Sequence, residues 1–177
     1  MVRKLKCINS IMLYSFIISG FFLANALAAE VGINDLQYFP TYNIGDALNV
    51  DQNYFGESSP KPPCIMINYS KGNEGYGTLI WRYPSDNTGE KNGRDLSGAN
   101  KLTFWAKSDR KIRVQFFIGK FLNDTAYIIQ EYNLTPEWQQ YDIDMSGKDL
   151  TNIRGGFATT LDESGTIYLN DIKYIIQ

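Results

Sequence analysis

The sequence predicts an all-β fold, a β-sandwich or jelly roll of about eight antiparallel strands. Two observations support this prediction. After the first thirty residues, no run of ten or more residues has a clear 3.6-residue period, so long amphipathic helices are not expected. Instead, short segments in which apolar and polar residues alternate are separated by turn-forming residues, which is typical of strands with one face in a core.

The first 28 residues have the features of an export signal. A basic start precedes an apolar run from Ile11 to Leu23, and Ala26-Leu27-Ala28 provides the small residues that a signal peptidase requires. A retained membrane anchor is the alternative, but a span needs about twenty apolar residues and this run is shorter. We therefore expect residues 1–28 to be a cleaved signal peptide. Residues 29–177 are expected to form one secreted or periplasmic domain with no membrane span.

The charge and cysteine content narrow the classes of partner. Without residues 1–28 the chain keeps 14 of its 17 basic residues and all 19 acidic ones, a formal charge of −5. Nucleic acids and anionic membranes bind basic patches, so neither is an expected partner. Cys64 would be the single remaining cysteine, so the exported domain must be stabilised by its hydrophobic core rather than by an internal disulfide.

The expected elements follow in chain order. Residues 31–63 have a weak pattern and end in the proline-rich stretch 58–63, which predicts a wrapping loop with one edge strand. Further strands are predicted by alternation at 64–69, 75–83, 101–107, 111–118, 127–134, 139–145, 154–161 and 166–176.

Two short connections predict hairpins. Residues 108–110 are few enough to join strand 101–107 to strand 111–118 as neighbours in one sheet. Thr135-Pro136-Glu137 similarly predicts an antiparallel pair between strands 127–134 and 139–145, because proline suits a turn.

The sequence argues against an enzyme. It contains no histidine, which excludes the common general base, the usual catalytic triads and most zinc sites. Carboxylate pairs of the kind that glycosidases use remain, such as Asp142 with Asp144 or Asp162 with Glu163. These acids lie at outward strand positions or in turns, so we interpret them as solvated surface residues.

Five outward side chains form the predicted binding surface. Leu102, Phe104 and Ala106 alternate with Trp105, so this tryptophan lies on the face opposite the core. If residues 108–110 turn a hairpin, one sheet face gathers the ligand-binding set Trp105, Lys107, Arg113, Gln115 and Phe117. Aromatic rings suit the apolar face of a pyranose, and guanidinium and amide groups suit its hydroxyls. Alternatively, Trp105 packs beneath the segment 31–63.

Four groups of motifs carry a resemblance. They are Gly75-Tyr76-Gly77 with Trp81-Arg82-Tyr83-Pro84, Asp95-Leu96-Ser97-Gly98-Ala99 with Leu102-Thr103-Phe104-Trp105-Ala106, Glu137-Trp138-Gln139-Gln140-Tyr141 with Ile143-Asp144-Met145-Ser146-Gly147, and Gly155-Gly156-Phe157 with Ile167-Tyr168-Leu169-Asn170-Asp171-Ile172. In order and spacing, they resemble the galactose-binding-domain-like jelly rolls, many of which are non-catalytic carbohydrate-binding modules of secreted glycoside hydrolases.

The resemblance implies a function, a metal and partners. It implies an exported, non-catalytic module that binds a glycan on a concave sheet face; the alternative is a jelly roll that has a structural role or binds a protein. It also implies a structural calcium, for which Asp171, Asn170 and an early acid such as Asp35 or Asp46 would supply oxygen ligands, with Asn170 where relatives have an acid. Because no catalytic domain is recognised beside the module in this sequence, we expect it to act alone, with a separate enzyme, or with an envelope protein.

Overall fold

The computed structural model describes residues 28–56, 58–121 and 123–177. Apart from Ala28, the predicted signal peptide 1–28 lies outside the described residues. Within these residues, no helix is long and apolar enough to cross a membrane.

Eleven β-strands make up the described chain, rather than about eight. Their bounds are β1 Ala29–Gly32, β2 Phe39–Gly45, β3 Leu48–Tyr54, β4 Cys64–Tyr69, β5 Gly77–Arg82, β6 Ala99–Ser108, β7 Ile112–Gly119, β8 Tyr127–Leu134, β9 Gln139–Asp144, β10 Gly155–Leu161 and β11 Gly165–Ile176.

The strands form two antiparallel sheets. Sheet A has the order β3-β4-β11-β6-β9, and β1 also pairs with β11. Sheet B has the order β2-β5-β10-β7-β8. Their inner faces pack together as a sandwich, and their outer faces point away from each other.

Aromatic side chains from both sheets meet at the centre of the core. Phe104 of sheet A lies with its ring centroid 4.7 Å from that of Phe116 and 5.2 Å from that of Phe157, both of sheet B. Trp81 contacts Phe157 at 5.1 Å and is fully buried. The alternation in strands 75–83 and 101–107 therefore predicted the inward faces of β5 and β6 correctly.

Both predicted hairpins are wrong. β6 pairs with β11 and β9 in sheet A, whereas β7 pairs with β10 and β8 in sheet B. At the connection, the amide of Ser108 donates to the carbonyl of Thr135, and the amide of Asp109 donates to that of Thr166. Residues 108–110 thus carry the chain from one sheet to the other, and residues 135–138 do the same between β8 and β9. A short loop allows either geometry, because both strands of each pair bury one face in the same core.

The N-terminal segment contributes strands rather than a wrapping loop with a single edge strand. Among residues 31–63, β2 forms one edge of sheet B and β3 one edge of sheet A, while β1 continues beside β11 where β4 ends. Their sequences were difficult to recognise because an edge strand buries little surface: all but one residue of β2 are exposed. An edge position also tolerates Pro40, because proline has no N–H to donate to the ladder.

Candidate functional site

The five predicted ligand-binding residues divide between the two outer faces of the sandwich. Trp105 and Lys107 lie on the outer face of sheet A, where they are half-buried. Arg113, Gln115 and Phe117 lie on the outer face of sheet B. The expectation of one shared face is therefore wrong, because it depended on the hairpin that the chain does not form.

The outer face of sheet B gathers most of the exposed apolar surface. Seven large apolar side chains in the described chain are strongly exposed, and six of them lie on or beside this face. They are Phe39, Tyr42 and Ile44 on β2, Tyr127 and Ile129 on β8, and Tyr76 just before β5. Cross-strand pairing fixes their orientation, since directly paired residues share a face. We call this surface the groove face. A soluble domain rarely exposes such a patch without a ligand or partner.

The floor of the groove face is a small apolar cluster. Ile80, Phe117 and Ala158 pack together on three adjacent strands, and Phe121 covers them from the β7–β8 loop. Phe117 is only 4% exposed, and its ring makes an edge contact with Tyr127 at 6.0 Å. The sequence predicts that Phe117 touches the ligand; in the structure its ring packs in the floor and has a small exposed part that faces the cavity described below.

One end of the groove face is lined by hydrogen-bonding groups. The guanidinium of Arg113 donates to Asp162 at 3.1 Å and to Glu131 at 3.5 Å, and the amide of Gln115 donates to Glu131 at 3.1 Å. The hydrogen bond to Asp162 and the charge of Glu131 raise the pKa of Arg113. The guanidinium is therefore a fixed cation whose direction is set by two carboxylates.

A cavity of about 320 Å³ connects these polar groups with the aromatic rings. Its lining is Tyr76, Thr78, Arg113, Gln115, Phe117, Lys120, Tyr127, Thr160 and Asp162. The hydroxyls of Thr78 and Thr160 bond each other at 2.7 Å in its floor. The ammonium of Lys120 lies 5.3 Å from the centre of the Tyr127 ring. The cavity thus offers ring faces, hydroxyls, an amide and cations within one concave surface.

The other end of the groove face is held by Arg82. Its guanidinium lies 4.5 Å above the Tyr42 ring and donates to the carbonyls of Asn87 and Thr41. The Tyr42 ring in turn makes an edge contact with Phe121 at 5.6 Å. Arg82 is buried and engaged, so we assign it to holding Tyr42 in place rather than to a ligand.

Of the predicted calcium ligands, Asp46 lies apart from Asn170 and Asp171. The carboxylate of Asp46 accepts hydrogen bonds from the amides of Gly72, Glu74 and Gly75 and from the Tyr69 hydroxyl, and so fastens the loop after β4. Asp46 therefore acts as a loop-fastening residue, and its oxygens already have donors.

Asn170 and Asp171 lie elsewhere, at a bulge in β11. The Asn170 amide bonds the backbone of Lys61 and Pro63, and the Asp171 carboxylate pairs with the ammonium groups of Lys61 and Lys173. In the described part of the chain, no cluster of three acidic, histidine or cysteine side chains is placed to hold a metal ion. Asp46 therefore lies apart from the other two predicted ligands, whereas Asp35, the other early acid that the sequence offers, lines one cavity with Asn170 and Asp171. A calcium ion at that place stays a prediction.

Several groove residues were missed by the sequence reasoning. Tyr42 was missed because β2 was not recognised, and Tyr76 because it was assigned only to the start of a strand. A signal for β8 was available: Tyr127, Ile128 and Ile129 are consecutive apolar residues, so both faces of that strand carry apolar groups.

Comparison with known proteins identifies the fold. No family model matches the chain, and no curated protein does. Among solved structures, a family 11 carbohydrate-binding module from Clostridium thermocellum in complex with a β-1,3-1,4-mixed-linked tetrasaccharide is 20% identical, with a TM-score of 0.60 over 85% of this chain and 96% of that one. A family 30 carbohydrate-binding module is 17% identical, with a TM-score of 0.57 over 84% and 99%. A variant of a family 29 module is 14% identical, with a TM-score of 0.51 over 84% and 92%. At these identities, the similarity confirms the predicted jelly-roll sandwich and its resemblance to this structural group.

Proposed function

We propose that this chain is an exported, non-catalytic carbohydrate-binding module that holds a glycan on the groove face. One observation carries the proposal: six of the seven most exposed large apolar side chains of the described residues lie on or beside one sheet face, next to the polar groups of Arg113 and Gln115. Ring faces of Tyr76 and Tyr127 suit the C–H side of a pyranose, and the polar groups suit its hydroxyls.

The similar structures indicate which glycans to test first. Each of the three is named as a carbohydrate-binding module, and one of them holds a β-1,3-1,4-mixed-linked tetrasaccharide. The ion pairs within the groove support a neutral ligand, since Arg113 is balanced by Glu131 and Asp162. A soluble mixed-linked β-glucan is therefore the first probe.

A binding role without catalysis is supported by the carboxylates of the groove. Glu131 and Asp162 both bind Arg113, and Glu131 also accepts from Gln115. Glycosidases use two carboxyl groups on either side of the scissile bond, one of which donates a proton. Here the two carboxylates orient a cation instead. Export through residues 1–28, and action beside a separate enzyme or an envelope protein, stay predictions.

The proposal is tested by removing the two exposed rings that line the cavity. Tyr127 is 47% exposed and Tyr76 is 37% exposed. With roughly 200 Å² of surface for an aromatic side chain, a sugar that covers half of the exposed part of Tyr127 removes about 45 Å² from water, which is worth about 1.1 kcal/mol. The same reasoning gives about 0.9 kcal/mol for Tyr76. The double variant Tyr76→Ala/Tyr127→Ala should therefore raise Kd about thirtyfold.

The measurement is a glycan array followed by calorimetry with the mixed-linked β-glucan. Phe55→Ala is the matched control, because Phe55 is 72% exposed but lies in the loop after β3 of sheet A. It should leave Kd unchanged. A wild-type protein that binds no neutral or acidic glycan would overturn the proposal, and the exposed groove would then fit a protein partner.

A further inference from the structure

The outer face of sheet A carries a second group of aromatic rings. Tyr168 of β11 pairs directly with Lys107 of β6, and the Lys107 ammonium lies 5.1 Å from the centre of the Tyr168 ring and 5.9 Å from that of the Trp138 ring. The ring of Tyr54 lies 5.7 Å from that of Tyr168. Neighbouring strands are about 4.8 Å apart. The three rings form a strip that crosses the strands, in which Tyr54 and Trp138 are half-buried and Tyr168, between them, is only 9% exposed.

Trp105 lies beside this strip. It precedes Lys107 by two residues, so its side chain shares the same face, and its paired neighbours are Asn170 and Gln140. Residues 61–63 cover Asn170 through three hydrogen bonds but leave Trp105 half-buried. The alternative, in which the segment 31–63 buries Trp105, is thus only partly correct: the segment covers Asn170, the residue paired with Trp105, but leaves Trp105 itself half-buried.

A polar cavity continues from the aromatic strip on the same face. It has a volume of about 300 Å³ and is lined by Glu30, Lys101, Thr103, Gln140, Asp142 and Ile175. The Gln140 amide donates to the Thr103 hydroxyl at 2.8 Å, and the Lys101 ammonium pairs with Asp142 at 3.0 Å. Because Gln140 is the cross-strand neighbour of Trp105, one ligand can contact an aromatic ring and the cavity together.

The mixture of groups favours a glycan over a protein. The centre of a protein interface is depleted of charged residues, whereas Lys107 lies between two of the rings on this face. Rings that alternate with amide, hydroxyl and ammonium groups match a chain of pyranoses, which presents C–H faces and hydroxyls in alternation. The groove face offers the same combination of groups, so both faces suit the same class of ligand.

We infer that the outer face of sheet A, centred on Trp105 and Trp138, is a second glycan-binding surface, and that one molecule bridges two polysaccharide chains. The two outer faces point in opposite directions, and the sheets are about 10 Å apart. A glycan segment that lies along the groove face does not reach the outer face of sheet A, which we call the Trp105 face. Occupation of both faces therefore links two strands, and binding gains from multivalency. The inference rests on the proposed function and goes beyond it.

Because the tryptophans are unevenly distributed, ligand binding to each of the two faces can be measured separately. Of the three tryptophans, Trp81 is fully buried, whereas Trp105 and Trp138 are half-buried on the Trp105 face. The rings of the groove face belong to tyrosine and phenylalanine. A glycan that stacks on the Trp105 face should therefore shift tryptophan emission and protect it from acrylamide, while occupation of the groove face should not.

The experiment uses the full exported chain with three soluble probes: a mixed-linked β-1,3-1,4-glucan, a xylan and polygalacturonate. Calorimetry with an oligosaccharide of the probe that binds should give two sites per molecule, and light scattering should show crosslinking of the polymer. Trp105→Ala should leave one site and abolish crosslinking, and Trp105→Phe, which keeps a ring, should retain both. Tyr76→Ala/Tyr127→Ala should also abolish crosslinking but keep the change in tryptophan emission.

Each other outcome decides against one proposal or both. A single site in the wild type, with no change in tryptophan emission and normal binding by Trp105→Ala, overturns the second surface and leaves the groove face intact. Full binding by Tyr76→Ala/Tyr127→Ala with complete loss in Trp105→Ala overturns the assignment of the groove face and also the bridging. A wild type that binds none of the probes overturns both proposals. Unchanged melting temperatures show that loss of binding in a variant is not loss of folding.

Discussion

Phe104→Ala and Phe117→Ala form a matched pair that compares the core between the sheets, to which sheet A contributes Phe104, with the outer face of sheet B, where Phe117 lies. Both residues are phenylalanines on neighbouring strands in sequence, and both are at most 4% exposed. Phe104 is surrounded, with ring centroids of Phe116, Phe157 and Tyr141 at 4.7, 5.2 and 5.9 Å. Phe117 belongs to a three-residue cluster that a loop residue covers on the outer face.

The magnitudes follow from this difference. Removing the Phe104 ring leaves a closed cavity, so we expect a loss of about 4 kcal/mol in the free energy of unfolding. At Phe117 the void opens toward solvent, where Phe121 and Tyr127 can collapse into it. The loss in the free energy of unfolding then comes only from the apolar contact of the ring that is no longer buried, which is about 2 kcal/mol. For a domain of this size these values correspond to decreases in Tm of roughly 8 to 16 °C and 4 to 8 °C.

Urea unfolding, followed by tryptophan emission and checked for an unchanged m-value, measures both variants. Phe117→Leu is the control that restores most of the volume. Equal losses for Phe104→Ala and Phe117→Ala would show that the outer cluster is as closed as the core. No loss for Phe117→Ala would refute the packed position and would return Phe117 to the ligand-binding set that the sequence predicts.

Two further predictions concern stability. Gly119 and Gly147 both have positive φ, at 78° and 72°, but an added Cβ would lie 1.8 Å from the Ala126 carbonyl oxygen at the first position and meet nothing within 4 Å at the second. Gly147→Ala should cost about 1 to 2 kcal/mol and Gly119→Ala clearly more; equal melting temperatures would contradict this. Burial of Asp46 acts in the opposite direction, but its hydrogen bonds from three backbone amides and the Tyr69 hydroxyl lower the pKa of Asp46 below the ordinary 3.8. Because its folded-state pKa is lowered, ionised Asp46 stabilises the fold above pH 3.8, and this stabilisation is lost as the pH falls further. In Asp46→Asn the free energy of unfolding, measured from pH 6 to pH 2, should therefore fall less steeply with acid. An unchanged fall would refute the role of this carboxylate.

The positions and inward faces of the strands could be predicted from the sequence, but not their assignment to sheets. Alternation shows that Phe104 and Val114 point into a core, and both are buried. It carries no information on whether the second strand lies beside the first or across the core from it, since both arrangements bury the same residues. A connection as short as 108–110 predicts a hairpin, and a hairpin would place Trp105 and Arg113 on one face.

The candidate site was predictable only where it coincided with regular strands. The sequence predicts Arg113 and Gln115 because β7 alternates from Ile112 to Phe116, and both residues line the cavity. Predicting Tyr42 would require recognising β2, in which Pro40 and Gly45 interrupt the two-residue alternation of a strand. Tyr76 depends on the contact of a loop with the sheet. Loop positions of this kind are set by tertiary packing and leave no period in the sequence.

The crossing between β6 and β7 also explains how a short stretch can supply two surfaces. Trp105 and Arg113 are separated by seven residues, yet the chain passes through the edge of the sandwich between them, so consecutive strands present their polar faces to opposite sides. In a hairpin these side chains would have served one ligand. Across a sandwich they lie on two opposite faces. The residues for which the sequence predicts a single site are therefore, in this topology, the basis for inferring a module that links two strands.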